Sequence, residues 1–329
     1  MKIENLNNKF EEKNIDEANF DIEKWRVENP IDYYKLTSIL LNAPNVSNLI
    51  PHEIALARAF DTIYQIIRLH IPNTLFKYYS LTDNNELNEK KIETLANNLI
   101  YMSCIKDFND PFDGKAFFYN PKSLNSIKRL RKCKGKIIDD FTDFNRGTSF
   151  TANDMNCMPM WAHYSNNHHG FCVAYDMKDP RNKVLSSCTF PVQYTNERLD
   201  ITSYMKTYVE MIDAQINRES KMGIKQHIIK DLSLIYLSTY LCNIKHSTWS
   251  YEKEFRCTMG AKAKGMPYTE AYPNAIYVGI NCSKENQKKL VNIAKKIEVP
   301  IYKMEFNELS ESYKFGLKKL YGGKKHDRK

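Results

Sequence analysis

Apolar and polar positions along the chain change texture near residue 72. Before it the spacing is helical. A stretch rich in Asn, Glu and Lys precedes Phe20, and residues 30–41 then open on Pro30 and carry apolar side chains at helical intervals. In residues 51–70, Leu56, Phe60, Ile63 and Ile67 share a face that Ala55, Ala59 and Ile66 broaden, and Pro72 ends the helix. The pattern predicts an α-helical N-terminal extension over residues 1–72. From Thr74 onward, apolar runs of strand length take over, at 75–80, 100–105, 149–151, 170–176, 188–194, 254–259, 275–280 and 301–306. Between them stand a polar helix at 83–98, a basic helix at 122–145, a mostly helical stretch at 201–244 and a helix capped by Ser283 or Asn281 that runs to Ile297. Helices and strands do not alternate regularly, which predicts an α+β fold: a mixed, mostly antiparallel sheet flanked by helices, with its core over 73–310 and a basic tail at 311–329.

Composition changes this picture little. With 42% hydrophobic and 26% charged residues in 329, the chain reads as an ordinary globular protein able to bury a large core. It has no apolar run of bilayer length and no signal-like leader, so no membrane role is expected. Eight cysteines without a C-x-x-C pair argue for reduced thiols in a cytoplasm rather than structural zinc. The net charge of +9 gathers in Lys128, Arg129, Arg131, Lys132, Lys134 and Lys136 and in the C-terminal tail. Those patches suit a nucleic-acid partner, although solvated faces carry the same signature; the N-terminal helices suit a protein partner. With only 11 glycines there is neither a G-x-G-x-x-G nor a P-loop.

Chemistry concentrates in a few segments. Asp107-Phe-Asn-Asp-Pro-Phe-Asp113 follows a short strand and forms a turn, in which Asn109 and Asp110 bond their own backbone, Pro111 fixes its φ, and Phe108 and Phe112 serve as anchors. Residues 75–80, 160–170, 171–176 and 246–256 add lysine, histidine, tryptophan and paired glutamates. In residues 251–256, strand alternation places Glu252, Glu254 and Arg256 on one side and Tyr251, Lys253 and Phe255 on the other.

Together these segments resemble a bacterial domain-of-unknown-function family. The shared pieces are Leu75, Lys77 and Tyr78; Ser103 on a strand; Phe108-Asn-Asp-Pro-Phe-Asp113; Met160-Trp-x-His-Tyr164; His168 to Phe171; and Trp249-x-Tyr-Glu-x-Glu-x-Arg256, spanning roughly residues 74–310. That resemblance implies a component of phage-defence or toxin-like loci. At the level of strand order and residue type the chain also resembles ADP-ribosyltransferases, which set a basic residue, a Ser or Tyr and a late Glu around NAD. What this implies is an effector that uses NAD as substrate to modify a nucleic acid or a protein. Glu254, Glu252, Ser103 and His163 are then the candidate catalytic residues. Lys77, Tyr78, Tyr101, Asn109, Asp110, Asp113, Trp161, His168 and Arg256 are the candidate binding residues, with Tyr101 or Trp161 as stacking surface and no resident metal. Where that family often carries Arg, this chain has Tyr79. Two alternatives stay open. His163, His168, Asp110, Asp113 and Glu254 would hold Mg²⁺ for a nuclease if they converged, and the same residues would bind a nucleotide or partner in a non-catalytic sensor.

Overall fold

A computed structural model describes residues 20–42, 52–136, 145–227, 238–260 and 267–323. Helices α1 (Ile22–Glu28), α2 (Tyr33–Asn42) and α3 (His52–Leu69) come first, as the apolar spacing predicts. Among the described residues, nine strands build the main sheet: β1 (Thr74–Tyr79), β2 (Ser103–Cys104), β3 (Asn145–Thr151), β4 (Phe171–Asp176), β5 (Thr189–Pro191), β6 (Glu254–Gly260), β7 (Pro273–Val278), β8 (Ile301–Glu305) and β9 (Gly316–Tyr321). Their order is β9-β8-β7-β4-β1-β3-β6-β5, with β2 beside β3. Only β7 and β8 run parallel within it. The fold is thus α+β on a mixed, mostly antiparallel sheet.

The continuous apolar run Phe171-Cys-Val-Ala-Tyr175 marks the central strand β4, which is buried on both faces. On one face, helices α4 (Asn85–Ala96) and α7 (Lys284–Lys296) seat Ile92, Leu95, Leu290 and Ala294 against Leu75, Val173, Tyr175 and Ile276. On the other, α5 (Met158–Tyr164) drives a fully buried Trp161 against Tyr78, edge-on at 5.0 Å. Gly170 lets the chain leave α5 close to β1: a Cβ there would lie 1.9 Å from the Tyr79 carbonyl oxygen.

A further apolar cluster joins Tyr33, Ile63 and Ile67 of the N-terminal helices to Phe117, Leu124, Phe190 and Leu241, and to Met205 of α6 (Thr202–Lys221). Tyr33 Oη donates to Pro191 O at 2.7 Å, and the Arg68 guanidinium donates to the carbonyls of Ser186 and Thr189. The extension is therefore fastened to the rim of the sheet.

Some local expectations change. The basic stretch is not one helix over 122–145 but a turn of helix at Pro121–Leu124 and a 3-10 segment at Lys128–Cys133, stopped by Lys134 and Gly135 at φ +54° and +77°. Residues 137–144 of that stretch lie outside the described residues. The helix expected over 201–244 is α6 in its first half. Residues 238–241 are helical again, and a strand, Ile244–His246, begins where the expected helix ends, parallel to Gln193–Thr195. Residues 316–321, in the stretch read as a tail, form the edge strand β9. Lys324, Lys325, Arg328 and Lys329 lie outside the described residues.

Candidate functional site

The site arises from a split in the sheet. Strand β3 gives one edge to β6 over its whole length, from Glu254↔Thr151 to Gly260↔Asn145. Its other edge is shared: β1 meets it at Phe76↔Thr151, and β2 meets it at Ser103↔Gly147 and Cys104↔Arg146. Lys77 closes the gap, its Nζ donating to the Ser149 carbonyl at 3.1 Å beside the rings of Tyr79 and Phe150. A backbone acceptor inside a sheet must be satisfied, and here a side chain supplies the bond that a strand would have made. The split opens as a cleft of about 90 Å³ walled by Phe76, Lys77, Tyr78, Asn109, Ser149, Phe150, Thr151, Met160, Tyr164, Lys245, Glu252 and Glu254.

Behind the cleft lies a buried ion network. Arg256, fully buried on β6, donates Nε to Glu254 Oε1 at 2.7 Å and Nη2 to Glu254 Oε2 at 3.1 Å. The same guanidinium reaches Asp113 Oδ1 at 2.6 Å and the Cys242 carbonyl at 2.7 Å, and its plane lies over the Phe108 ring. Lys245 Nζ bridges the two glutamates, 2.8 Å from Glu252 Oε2 and 3.1 Å from Glu254 Oε2, above the Trp249 ring. Tyr164 Oη donates to the remaining Glu252 oxygen, and Asn109 Nδ2 donates to Tyr164 Oη at 3.4 Å. Glu252 and Glu254 are only 3% and 4% exposed.

Their environments drive the two carboxyls apart. Burial alone would raise Glu254, but Arg256 and Lys245 outweigh it and hold its pKa down to about 2. Glu252 is raised from its ordinary value by burial and then by the neighbouring Glu254 charge, which Lys245 and Tyr164 only partly offset. Burial lowers Lys77 to about 8. Asp113 is raised by burial despite Arg256, and one oxygen each of Asp110 and Asp113 is buried without a hydrogen-bond partner.

The local chain explains how Glu252 comes to face the cleft. Residues Ser247–Glu252 form a 3-10 turn, and Lys253 sits at φ +44° before β6 begins at Glu254. The alternation expected over 251–256 thus starts only at Glu254; the left-handed Lys253, rather than a strand, returns Glu252 to the same side. Thr151 Oγ1 and Asn153 Nδ2 donate to the Glu252 carbonyl at 2.5 and 3.1 Å and fix that turn.

Of the residues singled out in the sequence, Lys77, Tyr78, Asn109, Glu252 and Glu254 wall the cleft, and Arg256 and Asp113 stand behind it. Asp110 is buried in its turn, Oδ1 accepting from Phe112 N–H at 2.9 Å, while Phe112 itself is exposed rather than an anchor. Trp161 is wholly buried and offers the cleft no stacking face. Ser103 pairs with Gly147, four residues along β3 from Thr151 and so roughly 13 Å away. Tyr101 lies on a separate two-stranded ladder against Tyr268. His163 is exposed beside Tyr251. His168 lines a different cavity. Among the described residues no group of three or more His, Cys, Asp or Glu side chains is placed to hold a metal ion.

Both side chains bonded to the Glu252 carboxylate escaped the sequence reading. Tyr164 follows His163 in the same motif, but it is Met160 and Tyr164, one helical turn apart, that share the face toward the cleft. Lys245 ends the run Tyr240-Leu-Cys-Asn-Ile244; a lysine closing a buried stretch seven residues before Glu252 was the available signal.

Residues 160–257 match the family described as protein of unknown function (DUF2971). No curated protein and no solved structure matches the chain. The resemblance to a domain-of-unknown-function family therefore holds for a segment shorter than half the chain, running from α5 to the middle of β6. That segment contributes Met160, Tyr164, Lys245, Glu252, Glu254 and Arg256 to the site. Among the described residues no helix is long and apolar enough to cross a membrane.

Proposed function

We propose that the cleft is an acid–base site for glycosyl transfer from a dinucleotide, ADP-ribosyltransferase-like in chemistry, with NAD as substrate and Glu252 rather than Glu254 as the reacting carboxylate. One observation carries this reading: two carboxyls held by a single Lys245 ammonium, one kept ionised by Arg256 and the other pushed upward on the cleft wall. Titratable pairs whose pKa values are driven apart are how folds assign proton-handling roles.

In such a reaction the bond between the ribose C1′ and the nicotinamide nitrogen breaks, and nicotinamide leaves as a neutral molecule. Glu252 accepts the ribose hydroxyl, supports the oxocarbenium-like transition state and takes the proton that the incoming hydroxyl or water loses. Lys77 donates one hydrogen bond to Ser149 O and has two further N–H groups for a phosphate oxygen. The cleft admits one ring-sized group, between Phe76, Tyr78 and Tyr164, so the rest of the dinucleotide would lie across its mouth.

The test is nicotinamide release from NAD by the purified chain in EDTA, with water or added RNA and protein as acceptors. The wild type should release it, Glu252→Gln should lose at least about a hundredfold, and Ser103→Ala should match wild type. No release under any acceptor condition, or release that depends on a divalent metal, would overturn the reading.

A further inference from the structure

A second cavity, of about 540 Å³, lies where residues 306–315, between β8 and β9, pass the start of α5. Its size falls in the range of about 300–1,000 Å³ common to small-ligand sites. One wall is rigid. His168 stacks on Trp161 with ring centroids 5.8 Å apart and planes 8° from parallel. Its N–H donates to Ser165 Oγ at 3.2 Å, and its carbonyl accepts from Asn281 N–H at 3.1 Å. Asn166, Asn167 and His168 all have left-handed φ, +52°, +51° and +67°. Three such residues in succession cost on the order of 1–3 kcal/mol each and persist only where surroundings fix them. Gly279 is part of that fixing, because a Cβ there would lie 2.2 Å from His168 O.

The opposite wall supplies rings and short polar groups. Phe315 meets His168 edge-on at 5.8 Å, while Phe306 and Tyr313 are 71% and 91% exposed beside the cavity. Asn281 Nδ2 is used by Asn167 O, which leaves its amide oxygen to accept, and the hydroxyls of Ser310 and Ser312 sit 3.2 Å apart. Glu308 and Glu311 also line the space, against the single cation Lys314.

We propose that this cavity binds a purine base presented as an uncharged nucleoside. A flat heteroaromatic ring matches walls built from rings. Its edge donors and acceptors match amide and hydroxyl groups. The two carboxylates disfavour a phosphate. The volume admits a purine with its ribose. The proposal stands apart from the reading of the cleft and needs no catalysis.

Calorimetric titration of the full chain with adenosine and guanosine tests it. At least one should bind, and more tightly than its 5′-monophosphate. Phe315→Ala should weaken binding at least tenfold. Tyr313→Ala, at a side chain too exposed to matter for folding, should weaken it severalfold. Glu252→Gln should bind like wild type. The proposal is overturned if neither nucleoside binds at millimolar concentration, if the monophosphate binds as well as the nucleoside, or if both aromatic substitutions leave affinity unchanged. It also falls if Glu252→Gln abolishes binding, which would assign the ligand to the cleft.

Discussion

The two faces of strand β6 follow opposite physics. On one side Phe255, Cys257 and Met259 pack into the main apolar core, and their contribution scales with the area removed from water. On the other, Glu254 and Arg256 are buried too, yet each ion gives up its hydration, which their bonds to each other and to Asp113, Lys245 and the Cys242 carbonyl replace. Well-packed apolar residues often serve such a place equally well or better for stability alone. The difference teaches where to look for function: the charged face is explained by what it does to Glu252.

Replacing Arg256 should have the largest effect. Arg256→Met leaves Asp113 buried without its ion-pair partner and Glu254 with Lys245 alone, and should cost about 3–5 kcal/mol, whereas Cys257→Ala on the other face of the strand should cost only about 1 kcal/mol. Chemical denaturation of both variants measures this, and equal losses would erase the distinction between the faces.

Glu252→Gln comes next, with the opposite profile. Its side chain keeps an acceptor for Tyr164 or Lys245, so folding stability should change by less than about 1.5 kcal/mol. Nicotinamide release should nevertheless fall by about two to four orders of magnitude. A variant that unfolds, or one that stays fully active, would place Glu252 with the structural ions instead.

The acid limb of stability is a smaller effect. Glu254 is lowered in the folded state, so its contribution is complete above the ordinary value of 4.5 and is lost as pH falls from there toward about 2. Unfolding free energy should therefore drop through that window, and a flat profile there would contradict the ion network.

The smallest effect concerns Lys77, whose folded pKa of about 8 lies below the ordinary 10.5. Between those values the unfolded chain binds the extra proton, so this group makes stability rise with pH across the window. In Lys77→Met that rise should disappear, and an unchanged alkaline slope would show that the ammonium is not held in the gap between β1 and β3.

The sequence carried the elements well where periodicity was long or a run was continuous. The α3 stripe and the apolar β4 run both appear as expected, because burial on one face or on two leaves a direct imprint on residue type. The site was legible in part. Phe108–Asp113 and Trp249–Arg256 do come together through the Arg256–Asp113 bond, as their polar residues between aromatics suggested. What stayed hidden depends on a single backbone angle or on a missing strand partner. The left-handed Lys253 sets the direction of Glu252, and the incomplete pairing of β1 with β3 makes the cleft. Neither leaves a pattern in the order of residues. Ser103 shows the converse: a hydroxyl on a strand looked suitable, but register placed it beside Gly147 at the far end of β3.

The separation of the two glutamates is measured most directly by carbon-13 NMR titration of their side-chain carboxyls. Glu254 should titrate near pH 2, and Glu252 above its ordinary value and higher still in Tyr164→Phe, which removes a hydrogen bond to its ionised form. Two carboxyls titrating together at ordinary values would contradict the account.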